Sequence, residues 1–178
     1  MSDVRLFAAL ELPGEVRAAL ASWAARVSAR EPAVRLVSTE SLHVTLVFLG
    51  PQPEAALEAI GRAVVGEGRK LEPLAVSEAA WLPRGRPGVL VADLVEEGDA
   101  LAGLQADLEW ALAPWHEPED RGFRPHVTVA RVRRGQLIAL RDVPAPPRLI
   151  IEARALVLYR SQMGPAGSTY EPLARIPV

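Results

Sequence analysis

Several features that would point to particular classes of protein are missing from this sequence. It contains no cysteine, which excludes disulfides, a thiolate nucleophile and a zinc site built from cysteine ligands. Its apolar runs, such as residues 42–49, are too short to cross a membrane. The chain begins without a basic leader followed by a long apolar stretch. We therefore expect a cytoplasmic protein that is not associated with a membrane.

Common signatures of nucleotide, ester and metal chemistry are also absent. There is no Gly-x-x-x-x-Gly-Lys-Ser/Thr segment for a phosphate-binding loop, and no Gly-x-Ser-x-Gly segment for a hydrolase serine. A metal site needs a third ligand besides two histidines. His116 could supply it, but no His-x-x-x-His or paired-carboxylate spacing supports such a site. We interpret His116 as an exposed loop residue and expect no metal.

One short segment occurs twice in the chain. His-Val-Thr-Leu at residues 43–46 recurs as His-Val-Thr-Val at residues 126–129, nearly half of the chain length further on. The two copies lie in β-branched, apolar runs, residues 42–49 and residues 123–132, which are typical of strands. Side chains alternate along a strand, so each copy presents its histidine and threonine on one face and its apolar residues on the other.

This repeat favours a catalytic pair of histidines. Two facing imidazoles can act as acid and base in proton transfer at a phosphate ester. A single histidine on a strand is more often structural, and threonine is common in strands. The argument for function is that both residue types recur together on one face, around His43 and His126.

Composition and charge are those of an ordinary globular protein. The 178 residues are 49% hydrophobic and 24% charged, and we predict a single domain over residues 1–178. A net charge of −2 gives the whole molecule no general attraction for nucleic acid. Arginines nevertheless cluster around the second motif. They form either a solvated edge strand or an anion site, and the neighbouring histidine favours the anion site. The cluster consists of Arg121, Arg124, Arg131, Arg133 and Arg134.

The order of predicted elements indicates an α+β fold with mostly antiparallel sheets. Apolar stripes predict helices that open at Gly14 and cover residues 53–65 and 99–113. The half-chain spacing of the motifs suggests two related lobes, whose sheets meet at a cleft lined by the histidine strands. Strands are predicted at residues 4–10, 34–37, 42–49, 74–80, 89–94, 123–132, 149–160 and 170–176, with a loop at 161–169.

The paired motifs resemble those of the 2H phosphoesterases. More closely, the chain is similar to the bacterial and archaeal RNA 2′,3′-cyclic phosphodiesterases, also named 2′–5′ RNA ligases. The resemblance covers nearly the whole chain and is strongest at the two motifs. Gln162-Met163 departs from the leucine that is common there, but involves no proposed catalytic group. The matching segments are residues 5–13, 42–50, 124–131 and 159–170.

The resemblance implies a fold and an activity. The fold would be a two-lobed, pseudo-symmetric α+β fold with antiparallel sheets flanked by helices and a central cleft. The activity would be hydrolysis of RNA 2′,3′-cyclic phosphate ends to 2′-phosphates, with no metal or other cofactor. The family name also records the joining of RNA ends through a 2′–5′ bond. The partners would be RNA ends or nucleoside 2′,3′-cyclic phosphates, and we expect a monomer.

This reaction assigns a role to each motif residue. One group must deprotonate the attacking water and another must protonate O3′. We assign His43 as the acid and His126 as the base, although the reverse fits the sequence equally well. Thr45 and Thr128 would donate hydrogen bonds to the non-bridging phosphate oxygens. Arg131 would be the cation at the phosphate, but ideal alternation turns it away from the histidine face. A bulge or the strand end would have to redirect it.

Two further expectations complete the prediction. Phe48 could stack on a base, but its position in the alternation also differs from that of His43, which favours core packing. A different hypothesis is a non-catalytic RNA-end-binding protein. Such a protein needs no proton transfer and could lose a histidine without penalty, so the presence of both histidines favours the enzyme.

Overall fold

The computed structural model describes residues 3–118, 122–139, 142–164 and 167–178. These residues contain nine strands and three α-helices. The helices are α1 (Gly14–Ser28), α2 (Leu57–Gly66) and α3 (Ala100–Leu112), and 3₁₀ turns lie at Thr39–Ser41 and Glu54–Ala56. The strands are β1 (Asp3–Glu11), β2 (Val34–Leu36), β3 (His43–Pro53), β4 (Leu74–Leu82), β5 (Val89–Glu96), β6 (His126–Val132), β7 (Ile150–Ile151), β8 (Ala155–Gly164) and β9 (Gly167–Pro177).

The described strands form a single sheet in which the pairings are antiparallel. Their order is β7-β4-β5-β6-β3-β1-β8-β9, and β2 also pairs with β6. The two motif strands, β3 and β6, are neighbours that pair only at Val44 and Val127. This seam separates β3-β1-β8-β9 from β6-β5-β4-β7, so each motif strand is the inner edge of its group. The pattern confirms the predicted α+β architecture with two halves.

The helices bury the apolar stripes that the sequence predicts. Trp23 of α1 and the leucines of α3 are completely shielded from solvent, as is Ile60 of α2. Because these stripes recur every three or four residues, each helix turns one apolar side toward the sheet or toward another helix. The α2 helix packs against α3 and β9. None of the helices in the described residues is both long and apolar enough to span a bilayer.

Some predicted boundaries are wrong. The first motif strand does not stop at Gly50 but continues to Pro53, paired with β1. Prolines are tolerated there because β6 leaves the other edge of β3 unpaired after Val44. Residues 123–125 are not part of β6, and the strand predicted at 149–160 is interrupted between β7 and β8. The predicted loop at 161–169 is instead largely strand, in the β8–β9 hairpin.

Candidate active site

A cavity of about 560 Å³ contains every residue that the sequence predicts for the site. His43 and Thr45 enter it from β3, and His126, Thr128 and Arg131 enter it from β6. The repeated motifs are therefore brought together at the seam of the sheet. The other lining residues come from β1, from β2 and the residue after it, from the turn before β3, from the later part of β3 and from the β8–β9 hairpin. They are Arg5, Phe7, Arg35, Val37, Ser41, Phe48, Ser161, Met163, Ser168 and Tyr170.

Both nitrogens of the His43 ring have partners close in sequence. Nδ1 lies 2.7 Å from the carbonyl oxygen of Ser41, and Nε2 lies 3.0 Å from Oγ1 of Thr45. A carbonyl only accepts, so Nδ1 carries the hydrogen and donates it. In the neutral ring Nε2 is then the acceptor and receives the hydrogen bond of the Thr45 hydroxyl. The backbone thus fixes the tautomer that leaves Nε2 for proton transfer.

The surroundings of His43 keep it neutral. Its ring centroid is 4.8 Å from that of Phe7 and 5.2 Å from that of Tyr170, which meets it edge-on. Burial lowers the pKa of His43 from 6.5 to about 4; the hydrogen bond to Ser41 opposes this, whereas the positive charges of Arg131 and His126 add to it. At neutral pH the ligand-free site therefore holds an uncharged imidazole at this position.

The His126 ring is held in the same manner but in a more polar setting. Its Nδ1 lies 2.7 Å from the carbonyl oxygen of Arg124. The Arg124 guanidinium forms two hydrogen bonds with the Asp93 carboxylate, at 2.8 and 2.6 Å, and Asp93 lies opposite His126 in the sheet. The amide of Leu94 donates to the carbonyl of Pro125 at 2.9 Å. The two residues before His126 are thus fastened to β5 by a side-chain pair and a backbone bond.

A β-bulge in β3 places Phe48 in the cavity. Thr45 is opposite Ala9 and Val47 is opposite Ala8, so Leu46 has no partner in β1. The extra residue shifts the alternation by one position, and Phe48 then shares the face of Thr45. Phe48 is 45% exposed and lines the cavity. The preference for core packing at Phe48 is therefore wrong, because ideal alternation does not hold through the bulge.

A matching bulge in β6 redirects Arg131. Thr128 pairs with Val91 and Ala130 pairs with Leu90, which leaves Val129 without a partner in β5. Arg131 accordingly lines the same cavity as Thr128. Of the two alternatives stated from the sequence, a bulge or the strand end, the structure shows the bulge. Relative to its histidine, Arg131 occupies the position that Phe48 occupies in the first motif.

The cavity is positively charged. Arg5, Arg35 and Arg131 line it, and no carboxylate is among its described lining residues. Arg5 lies over the Phe48 ring, with its guanidinium carbon 5.5 Å from the ring centroid. Guanidinium groups bind phosphate through planar, paired hydrogen bonds. The site therefore suits an anionic substrate that also carries a flat, apolar group.

Only part of the predicted arginine cluster contributes to the cavity. Arg124 is paired with Asp93, and Arg133 donates to the carbonyl of Pro32. Arg134 does not line the cavity, and Arg121 lies outside the described residues. Among the cluster members that the structure describes, Arg131 is the one that faces the cavity.

His116 lies outside the cavity. Its Nε2 is bonded to the Glu109 carboxylate, and its side chain is only 5% exposed. The expectation of an exposed loop residue is therefore wrong, because α3 supplies a carboxylate partner that the sequence did not reveal. Among the described residues, no group of three or more histidine, aspartate or glutamate side chains is arranged to hold a metal ion.

Several cavity residues were missed from the sequence. Arg5 and Phe7 come from β1, and Arg35 comes from β2, eight residues before His43. Ser161, Ser168 and Tyr170 come from the last hairpin. Arg5 and Phe7 are two residues apart and therefore share one face of β1, which is a weak signal for a pair that faces a cavity. Nothing in the sequence shows that β1 lies beside the first motif strand and β8 beside β1, because this requires the strand order.

Comparison with known proteins defines the family. The chain belongs to the 2′-5′ RNA ligase superfamily, whose family model matches residues 12–162. The resemblance inferred from the motifs is thereby confirmed.

Individual relatives agree with this assignment. The RNA 2′,3′-cyclic phosphodiesterase of Thermus thermophilus is 32% identical over 97% of this chain and 89% of its own length. The RNA 2′,3′-cyclic phosphodiesterase of Geobacillus stearothermophilus is 29% identical over 100% of this chain, which spans 58% of that relative. The crystal structure of E. coli LigT complexed with 3′-AMP superposes with a TM-score of 0.80 at 26% identity, covering 99% of this chain and 98% of LigT.

Proposed function

We propose that this protein hydrolyses RNA 2′,3′-cyclic phosphate ends to 2′-phosphates by acid–base catalysis with His43 and His126. The observation that carries the proposal is the cavity, in which both histidines have Nδ1 bonded to a backbone carbonyl two residues earlier. Each ring thus keeps Nε2 for proton transfer. The positive charge of the cavity and the activity named for the relatives support a cyclic phosphate as substrate.

The proposed reaction replaces one phosphorus–oxygen bond by another. His126 takes a proton from a water molecule as the water oxygen bonds to phosphorus, and the bond from phosphorus to O3′ breaks. His43 donates a proton to O3′, so the products are a 2′-phosphate and a free 3′-hydroxyl. With a 5′-hydroxyl in place of water, the same bond changes would form a 2′–5′ linkage. Neither the hydrolysis nor the joining reaction, as written, requires a metal or a cofactor.

The neutral state of His43 sets a condition on this assignment. A group with a pKa of about 4 must gain its proton before it can act as an acid at neutral pH. The negative phosphate opposes the positive charge of Arg131 and raises the pKa of His43 when it binds. Binding should therefore be coupled to proton uptake at His43. If His43 were instead the base, its neutral form would be ready without uptake.

Calorimetry can separate the two assignments. Binding of a non-hydrolysable analogue of the cyclic phosphate would be measured in buffers of different ionisation enthalpy, for the wild type and for His43→Gln. We expect the wild type to take up more protons than the variant near neutral pH. Equal uptake in both proteins would assign the base role to His43 and the acid role to His126.

The remaining motif residues would stabilise charge on the phosphate. We assign Thr45 and Thr128 as donors to the non-bridging oxygens. Arg131 would attract the phosphate groups through a fixed charge that does not titrate. The Thr45 hydroxyl already bonds to His43 in the ligand-free protein, which links phosphate binding to the ring that must be protonated.

A direct assay tests the proposed function. The protein would be incubated with a nucleoside 2′,3′-cyclic phosphate in the presence of a chelator, and the product isomer would be identified. We expect the 2′-phosphate. Formation of the 3′-phosphate, or activity that vanishes in chelator and returns with zinc or manganese, would contradict the mechanism. Binding without turnover would support the RNA-end-binding alternative.

We also propose that residues 1–178 form one domain that acts as a monomer in the cytoplasm. The single domain is supported by a hydrophobic cluster that joins buried residues from both groups of strands, Leu10 and Leu158 among them on one side and Leu90 and Ile151 on the other. Size-exclusion chromatography with light scattering would test the oligomeric state.

A further inference from the structure

A second, smaller cavity of about 330 Å³ adjoins the candidate active site. It shares Ser41, His43 and Tyr170 with the first cavity, so these residues form a wall between the two. The rings of His43 and Tyr170 meet edge-on in this wall, with their centroids 5.2 Å apart. The other residues that line the second cavity are Glu11, Arg17, Ser38, Glu40, Leu42, Tyr159 and Thr169.

The wall continues through a stacked pair of aromatic rings. Phe7 lines the first cavity and Tyr159 lines the second, and their ring centroids are 5.3 Å apart. A single layer of rings therefore lies between the two cavities. A ligand that extends over this layer reaches from one cavity into the other.

The two cavities differ in charge. The first has three arginines and no carboxylate among its described lining residues, whereas the second has one arginine, Arg17, and two carboxylates, Glu11 and Glu40. Of these carboxylates, Glu11 is paired with Arg175. The second cavity therefore has no excess of positive charge that would attract a phosphate, and it suits an uncharged polar group.

Polar groups of the second cavity have bonding capacity left. Nε of Arg17 is buried without a hydrogen-bond partner, which is costly for a donor. Both bonds from Arg175 go to Oε2 of Glu11, so none of the described residues donates to Oε1. Burial and, next, the Glu11 carboxylate raise the pKa of the Tyr159 hydroxyl, against the charges of Arg17 and Arg175. This hydroxyl is therefore protonated at neutral pH and able to donate.

The second cavity thus combines aromatic rings with unpaired donors and acceptors. Bases of single-stranded RNA are recognised by stacking on aromatic side chains and by hydrogen bonds to their edges, which carry both donors and acceptors. The volume is near the lower end of the roughly 300–1,000 Å³ usual for small-ligand sites, so it has room for one base rather than a longer segment.

An RNA with a 2′,3′-cyclic end has one neighbour of its terminal nucleoside, and a single phosphodiester joins the two. We infer that the second cavity binds the base of this penultimate nucleoside while the first cavity holds the cyclic phosphate. This inference rests on the proposed function and adds that the preferred substrate is an RNA end rather than a mononucleotide.

Three substrates would test this base site. The first is the dinucleotide ApA with a 2′,3′-cyclic end, and the second is the same molecule without its first base. The third is adenosine 2′,3′-cyclic phosphate with a methyl ester of a 5′-phosphate, which keeps the diester charge without the nucleoside. We expect kcat/KM to be about tenfold higher for the first than for the other two, the scale that one stacked base contributes. Because the base is uncharged, this advantage should change little with salt.

Variants identify the residues responsible. The ratio of kcat/KM with and without the first base should fall toward one in Arg17→Gln, and less far in Tyr159→Phe, which keeps the ring that stacks on Phe7. The matched control is Arg26→Gln, because Arg26 is an exposed arginine of the same helix that bonds to Ser22 and lines neither cavity. The control should keep the wild-type ratio. Equilibrium binding of the 2′-phosphate products gives a readout besides activity, in which the base should strengthen binding to Arg26→Gln more than to Arg17→Gln.

The outcomes separate this inference from the proposed function. Equal kcat/KM for the dinucleotide and the methyl ester, or for the dinucleotide and its abasic form, would overturn the inference while leaving hydrolysis intact. An advantage of the base that is unchanged in both Arg17→Gln and Tyr159→Phe would place the base outside the second cavity and overturn it as well. Failure to hydrolyse any of the three substrates would instead contradict the proposed function.

Discussion

The two copies of the His-x-Thr motif share one backbone design but lie in different surroundings. In both, Nδ1 of histidine bonds to a carbonyl two residues earlier, and a bulge follows the threonine. The first copy is enclosed by aromatic rings, and its histidine pKa is lowered. The second copy follows Arg124, which forms a partly exposed ion pair with Asp93. Identical motifs therefore fix the direction of a ring, while their neighbours determine its charge.

The same contrast extends to the residue after each bulge. Phe48 follows the first and Arg131 follows the second, and both line the cavity. One position thus offers an apolar ring and the other a fixed charge. We interpret the first half of the site as the side for the apolar part of a ligand and the second half as the side for its negative charge.

Removal of either histidine should have the largest effect. His43→Ala and His126→Ala should each lower turnover by about 10²–10⁴-fold, the usual range for general acid–base catalysis. The rate of the wild type should depend on pH in a bell shape, and each variant should lose one limb. His116→Gln is the control, because His116 is bonded to Glu109 outside the cavity. Near-normal turnover in either alanine variant would remove that histidine from the proposed pair.

Substitution of the threonines should have the next largest effect and should distinguish the two copies of the motif. Thr45→Val and Thr128→Val should each lower turnover by roughly 10²–10³-fold, as for loss of one donor to transition-state charge. Thr45 also bonds to Nε2 of His43, so its variant should shift the pH profile, whereas Thr128→Val should leave the profile in place. Identical pH profiles for the two variants would show that the Thr45–His43 bond has no role in the reaction.

Acid stability should distinguish the two histidine environments. The pKa of His43 is about 4 in the folded protein, below its unfolded value of 6.5. Below pH 6.5 the unfolded chain therefore binds a proton that the folded state excludes, and stability falls as pH drops toward 4. The loss should reach about 3 kcal/mol at most. Denaturant unfolding of the wild type and His43→Gln should show a steeper decline in the wild type, and parallel curves would contradict the lowered pKa.

The ion pair behind the second histidine should have the smallest effect. Asp93→Asn removes the charge that holds Arg124, whose carbonyl fixes His126. Because the pair is partly exposed, we expect turnover to fall only about two- to fivefold. Asp93→Glu should restore much of it. Nitrogen NMR should show a shifted tautomer balance at His126 in Asp93→Asn. The control is Asp107→Asn, which breaks the pair with Arg69 and does not involve the cavity.

The sequence was sufficient for the features that depend on local periodicity. The stripes on α1 and α3, the two motif strands and the four motif residues follow from repeats at fixed spacing, and their placement in one cavity is as predicted. The bulge that redirects Arg131 was also anticipated, with the strand end as the alternative, because a cation one position out of phase with its motif needs one of the two to reach the same face.

Features that depend on strand order could not be predicted. Arg35 faces Arg131 only because β2 pairs with the same edge of β6 as β3 does. Phe48 was misjudged because the bulge at Leu46 leaves no mark in an apolar run, where every residue suits a strand. The last hairpin was mistaken for a loop, since its glycines fit either structure.

The paired bulges have a consequence for how this site can vary. Before its bulge, each motif strand presents two residues of one alternation phase, the histidine and the threonine. After the bulge, a residue of the opposite phase, Phe48 or Arg131, lies on the same face. The histidines and threonines belong to the first phase, and the apolar ring of Phe48 and the fixed charge of Arg131 belong to the second. We therefore expect that a substitution at Phe48 or Arg131 changes the contacts with a ligand and leaves in place the backbone that directs the histidine rings.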